Sequence, residues 1–137
     1  MTIERRNPPG LHATPGYHHV TTVEARRMVF LAGQSPLDPG GSIAPGLLDQ
    51  ADQIVNNTFL ALTAAGATPE DVVRTVIYVV SNDRADLSAV WDRLTASKLG
   101  PAFSTASTLL GVACLGFPGQ LVELDVTAAL ADDPDGR

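Results

Sequence analysis

The run Val72–Val80, VVRTVIYVV, constrains this chain more than any other stretch. Nearly every residue in it is β-branched or aromatic, and such side chains favour extended backbone. It is too apolar for a sheet edge and predicts a central strand. A central strand needs a pairing partner on each side and a packed layer against it, so the rest of the chain has to supply both.

Upstream, His18–Val23 and Arg27–Ala32 read as a hairpin joined by Glu24-Ala25-Arg26. Leu37–Ser42, LDPGGS, is dense turn chemistry in which Gly40 and Gly41 can take positive φ. From Gly46 the period changes. Leu48, Ala51, Val55, Thr58 or Phe59, and Leu62 recur at three- and four-residue steps, while Asp49, Asp52, Gln53 and Asn56 fill the other face. That is an amphipathic helix, stopped by Gly66 as a left-handed residue just past its end. Thr68–Asp71 reads as a capped short turn.

Beyond the central strand, Ser81, Asn82 and Asp83 offer N-caps to a second helix reaching about Ser97. Its stripe is Leu87, Val90, Trp91 and Leu94, and Gly100-Pro101 stops it. Two strands close the chain, Ser104–Leu115 and Gln120–Leu130, joined through Gly116–Gly119. In the last one Val122, Leu124 and Val126 face one way, and Glu123, Asp125 and Thr127 the other. The order is β-β-α-β-α-β-β, an α+β domain. Two helices with one apolar stripe each cover one face of a sheet. The face carrying Glu123 and Asp125 must therefore meet solvent, a ligand or another subunit.

A chain of 137 residues with 45% apolar content fits one globular domain. Such a chain buries roughly 68% of its unfolded surface, enough for a core without staples. Residues 1–14 and 131–137 read as tails, because charge, Pro and Gly there leave little to bury. The domain itself is expected over residues 15–130. The single Cys114 allows no internal disulfide, the opening MTIERRNPPG lacks an apolar signal core, and no apolar run approaches the roughly 20 residues of a membrane span. The expected location is the cytoplasm, with no membrane partner. Fifteen acidic against nine basic residues give a net charge of −6, which repels phosphate backbones. Arg5-Arg6 and Arg26-Arg27 carry no interleaved aromatics, so nucleic acid is not an expected partner.

Several residues could carry chemistry, each with a plainer alternative. Glu123 and Asp125, two apart on one strand face, suit general acid–base work if a cleft surrounds them; otherwise they are an outward face in water. His18 and His19 point to opposite faces of a strand and cannot chelate together, so no metal site is expected. Cys114 reads as an inert thiol in a buried strand. Ser104, Thr105, Ser107 and Thr108 include possible nucleophiles, but no Gly-x-Ser-x-Gly elbow or placed base accompanies them, and cross-strand hydrogen bonding is the simpler role. Trp91 is either core packing or a pocket wall. Gly33, in Ala32-Gly33-Gln34-Ser35-Pro36, permits close backbone approach for packing or for a ligand.

These segments together resemble the Rid family, the reactive-intermediate deaminases also called YjgF proteins. Gly16-Tyr17-His18-His19 resembles that family's Gly-Tyr-Ser-His or Gly-Pro-Tyr-Ser opening, and Ala32–Pro36 its Ser-Gly-Gln-x-Pro. Thr75–Val80 resembles its central strand. Ala106–Val112 is similar to its Pro-Ala-Arg-Thr-x-Val-x-Val strand, and Leu121–Val126 to its closing Val-Glu-Ile-Glu strand.

The resemblance implies a chorismate-mutase-like fold with two helices on one face of a mixed sheet. It also implies a homotrimer with three small-molecule clefts between subunits, and no cofactor. The family's deaminases hydrolyse enamines or imines to 2-keto acids and ammonia. In them a strand arginine clamps the substrate carboxylate and a glutamate positions water. Carried over, Glu123 matches the glutamate, Tyr17 the opening tyrosine and Gly33 the backbone beside the pocket. Ser107 falls on the arginine, Leu109 on a frequent cysteine, Trp91 on an asparagine and Ala32 on a serine. A serine cannot imitate a bidentate guanidinium. Losing such a clamp typically costs about 2–5 kcal/mol of binding.

The expectation is a trimer hydrolysing a less charged imine or enamine, with Glu123 orienting water and Ser107 or Thr105 hydrogen-bonding the substrate. Trp91 and Leu109 would make its pocket more apolar. A non-catalytic binding or scaffold trimer is the alternative, and a ribonuclease is disfavoured by the acidic charge.

Overall fold

In a computed structural model, which describes residues 1–131, Val72–Val80 forms β4 of a four-stranded sheet. The other members are β3 (Arg27–Phe30), β5 (Ala106–Val112) and β6 (Val122–Leu130), in the order β3-β6-β4-β5. β4 pairs antiparallel with β6 and parallel with β5, so it is interior, as its composition predicts. Its register sets Tyr78 opposite both Glu123 and Leu110, and Thr75 opposite both Val126 and Ser107. Side chains alternate across a strand. One face of the sheet therefore carries Glu123, Asp125, Tyr78, Val76 and Leu110. The other carries Leu124, Val126, Ile77, Ser107 and Leu109.

Helices α1 (Leu47–Ala64) and α2 (Arg84–Thr95) cover the second face. Ile54, Leu62, Val90, Leu94 and Phe103 join Ile77 and Leu124 in one core with almost no exposure. Gly66 has φ +83°. Beside it, the Gly66 and Ala67 amides donate to the carbonyls of Thr63 and Leu62, which closes α1. Asp83 caps α2 by accepting from the Ala85 amide at 2.9 Å. Thr68 and Asp71 form the expected reciprocal cap on the short 3-10 turn Pro69–Asp71.

The structure corrects four expectations. The N-terminal residues are no tail: Thr2–Arg6 forms β1, antiparallel to β2 (Val20–Glu24), and Ile3 and Arg5 point inward. Arg5 Nη2 donates to the carbonyls of Glu70 and Val72, each at 2.8 Å, and ties this ribbon to the start of β4. An ordered strand thus lies ahead of the expected 15–130 span. The C-terminal tail lies, apart from Ala131, outside the described residues.

The hairpin does not form either. β2 pairs with β1 while β3 pairs with β6, so Glu24-Ala25-Arg26 carries the chain from one sheet to the other. That tripeptide lacks a residue suited to the positive φ of tight hairpin turns. In α1 the buried stripe runs through Gln50 rather than Leu48, which is 37% exposed. Gln50 is fully buried because its amide is saturated. Nε2 donates to the carbonyls of Ala44 (2.7 Å) and Gly119 (2.9 Å), and Oε1 accepts from the Leu121 amide (2.7 Å). Finally, β5 ends at Val112, so Cys114 is an exposed loop thiol rather than a core one.

Among the described residues no helix is long and apolar enough to cross a membrane. The face opposite the helices stays open in the single chain, with Phe30 77% and Leu110 42% exposed.

Candidate functional site

The residues singled out in the sequence gather at two places. The first is a groove of about 590 Å³ beside β5, walled by Tyr17, Trp91, Ser107 and Leu109 and completed by Pro15, Ser88, Asp92 and Thr108. Tyr17 sits in the loop before β2. That loop is pinned to the strand start, where the His18 amide donates to the Thr105 carbonyl at 3.4 Å and the His18 ring bonds the Ser104 carbonyl. Trp91 stands edge-on to Phe103 in the core (5.9 Å between centroids) and perpendicular to Tyr17 (6.2 Å, 90°). The indole thus serves both readings its position allowed, packing on the core and walling a pocket.

Ser107 Oγ accepts from Thr75 Oγ1 at 2.6 Å and donates to the Thr105 carbonyl at 3.1 Å. Its proton is spent inside the protein, and what it offers a ligand is acceptor capacity. Thr105 does not reach the groove. It is fully buried, donates to the Val73 carbonyl (2.7 Å) and pairs with Thr21 Oγ1 (2.7 Å). Its substrate-binding assignment is corrected to a structural one, a hydroxyl joining β2, β4 and the start of β5. Tyr17 also touches His19 (5.9 Å), whose Nε2 bonds the His12 carbonyl at 2.8 Å.

The second place is a polar corner around Glu123 on the open face of the sheet. Ser35 Oγ and Gln120 Nε2 each reach Glu123 Oε1 at 3.4 Å, and Gln120 Nε2 also donates to Ser35 Oγ at 3.0 Å. The Gln34 amide bonds the Leu124 carbonyl (2.7 Å) and brings Gly33 alongside. A Cβ on Gly33 would stand 2.8 Å from Glu123 Oε2, so only glycine leaves the carboxylate its present place. Asn57 Nδ2 fixes this loop through the carbonyls of Ser35 (3.0 Å) and Leu37 (2.9 Å).

Sequence reasoning missed Ser35, Gln120, Ser88 and Asp92. Ser35 stood inside the quoted Gly33–Pro36 motif. Ser88 and Asp92 flank Trp91 on α2, three residues before it and one after, and Ser88 could have been found by that helical spacing. Gln120 carried no periodic signal.

The two places do not converge within one chain. Ser107 lies on the helix-covered face of β5, whereas Glu123 lies on the open face of β6, two strands away and three positions along. The groove backs onto the edge strand of the sheet, so one of its sides is free to meet another surface.

Comparison with known proteins adds four findings. Residues 10–130 match the protein family described as Endoribonuclease L-PSP. A RutC family protein of Haemophilus influenzae is 30% identical over 91 residues, covering 65% of this chain and 70% of that one. A 2-iminobutanoate/2-iminopropanoate deaminase of Salmonella typhimurium is 34% identical over 76 residues, covering 54% of this chain and 59% of that one. Among solved structures, the Rid-family protein of unknown function YyfB from Yersinia pestis superposes with a TM-score of 0.85 at 31% identity, over 95% of this chain and all of that one. The fold thus stands on a shared frame, and the chain belongs to the Rid/YjgF family.

Proposed function

We propose that this protein is a homotrimer with small-molecule clefts between subunits, and that each cleft hydrolyses an imine or enamine to a carbonyl compound and ammonia. One observation carries the reading: the carboxylate of Glu123 and the groove of Tyr17, Trp91 and Ser107 face away from each other within one chain. A cleft using both takes the corner from one subunit and the groove from the next. The exposed Phe30 and Leu110 on the open face offer apolar area for that assembly.

The chemistry follows from the groups. Glu123 Oε2 accepts a hydrogen bond from water and takes a proton as that water attacks the imine carbon. The resulting carbinolamine breaks its carbon–nitrogen bond, and ammonia leaves with the proton returned. In sum, one protonated imine and one water give one carbonyl compound and one ammonium ion, with no change in oxidation state. Tyr17, Trp91 and Leu109 exclude bulk water, and Ser107 Oγ accepts a hydrogen bond from the substrate.

The test is ammonia release from enzymatically generated 2-iminobutanoate and from bulkier imines, with Glu123→Gln as the control. Release that falls at least tenfold in the variant supports the reading, and equal rates remove it. Light scattering on the purified chain checks the trimer. A binding-only trimer is the second reading, favoured by the spent proton of Ser107. It predicts saturable ligand binding with no turnover in wild type.

A further inference from the structure

We infer that the groove between Tyr17 and Trp91 selects a cation: its substrates are protonated imines or amines that carry no carboxylate. The inference rests on the cleft proposed above and names the chemical class that the cleft takes.

Two aromatic rings in T-shaped contact, 6.2 Å between centroids, both line the groove. Ring faces attract cations through their quadrupoles, most strongly for tryptophan. Among the described residues, the only ionised side chain lining the groove is Asp92, an acid on the exposed side of α2 and the next residue after Trp91.

No basic group neutralises Asp92 among the described residues. Its sequence neighbour Arg93 turns away and grips Asp52 with two bonds, Nε to Oδ1 at 2.8 Å and Nη2 to Oδ2 at 2.7 Å. A second guanidinium, that of Arg74, is held from the open face of the sheet by Thr108 Oγ1 at 2.8 Å; Thr108 borders the groove, but Arg74 is not itself a lining residue. Ser107 completes the pattern, because a hydroxyl whose proton is already given to the Thr105 carbonyl presents a lone pair, and a lone pair suits an N–H donor. A carboxylate in this groove would face Asp92 and an acceptor oxygen, and no lining residue supplies a cation to hold it. The net charge of −6 acts in the same direction at longer range.

The chain's single tryptophan is itself the wall of the groove and reports on it. Trp91 emission is titrated on the full chain with tetramethylammonium chloride, with sodium butyrate, and with sodium chloride at matched ionic strength. Expected is a saturable change with tetramethylammonium and none with the two sodium salts. Asp92→Asn and Tyr17→Leu, both of which keep the fluorophore, should each weaken the cation about three- to tenfold.

No response to tetramethylammonium, saturation by butyrate instead, or unchanged cation affinity in a folded Asp92→Asn protein overturns the proposal. If Asp92→Asn fails to fold by circular dichroism, Tyr17→Leu decides on the same criterion. The binding reading is independent of turnover. Cation binding in a protein that releases no ammonia keeps this inference and removes the hydrolase, while ammonia release without cation binding does the reverse.

Discussion

The Glu123 corner and the Trp91 groove are built from opposite materials. In the corner, both contacts to the carboxylate are long, 3.4 Å, and both fall on Oε1. Oε2 is left with acceptor capacity and faces the space that Gly33 leaves open. In the groove, the hydroxyl of Ser107 is held at 2.6 and 3.1 Å and has no proton to give. The corner keeps a free acceptor oxygen; the groove offers a serine oxygen that accepts but has no proton to donate. The carboxylate is held by two long contacts from a hydroxyl and an amide, whereas the groove wall is held by core packing and strand pairing.

The sharpest way to break that contrast is at Gln50, which braces the corner from below. Gln50→Leu fits the space but leaves the Leu121 amide and two carbonyls without partners. Such a loss should cost about 3 kcal/mol of stability, read as a lower urea midpoint. Trp91 emission in the folded variant should stay unchanged, because the groove does not lean on that network. A shift in emission would mean the two regions are one cooperative unit.

Gly33→Ala separates stability from chemistry. The new Cβ meets the far end of a flexible side chain, Glu123 Oε2 at 2.8 Å, rather than backbone. The carboxylate can swing aside, so thermal stability should change by less than about 0.5 kcal/mol. Ammonia release should nevertheless fall about tenfold, equivalent to about 1.4 kcal/mol in the barrier. Loss of the fold instead would show that the carboxylate is fixed, not loosely held.

How much of this was legible depends on whether a feature is local. β4, both helices, the Gly66 stop, the Asp83 cap and the alternation of β6 all follow from periods and capping chemistry within a few residues, and all stand. β1 escaped because Thr2–Arg6 looks charged and exposed, and its anchor is a tertiary one: Arg5 reaching the carbonyls of Glu70 and Val72. Gln50 and Leu48 exchanged places for the same reason, since a buried amide needs partners that only the folded loops provide. Glu123, Gly33 and Tyr17 drew notice through motif residues and Trp91 as the single tryptophan in the stripe of α2. That Ser107 and Glu123 occupy opposite faces was not, because it depends on which strands pair and in which register. Thr105 was misread because a strand-end hydroxyl looks the same in sequence whether it faces a ligand or a neighbouring carbonyl.

Ser107→Ala probes the groove side of the contrast. It leaves Thr75 Oγ1 without its acceptor and should cost about 1 kcal/mol of stability. If the groove recognises rather than reacts, turnover at saturating substrate should change less than twofold. A hundredfold loss would make Ser107 a participant in catalysis and erase the distinction between the two places.

The smallest expected effect lies at the ion pair that keeps Arg93 away from the groove. The two-bond contact with Arg93 holds the Asp52 carboxyl below its ordinary value, with burial opposing. A folded-state pKa lowered in this way means the stabilisation is fully present above the unfolded value near 3.8 and is lost as pH falls through the folded one. Both side chains are about half exposed, 48% and 46%, so solvent and salt screen the pair. Asp52→Asn should therefore lower the melting temperature slightly at pH 7, less so in high salt, and not at all at a pH below the folded value. It should also free Arg93 to turn toward Asp92 and weaken tetramethylammonium in the groove. Unchanged cation affinity in Asp52→Asn would show that Arg93 stays clear of Asp92 without its partner, and that the groove's charge is set by Asp92 alone.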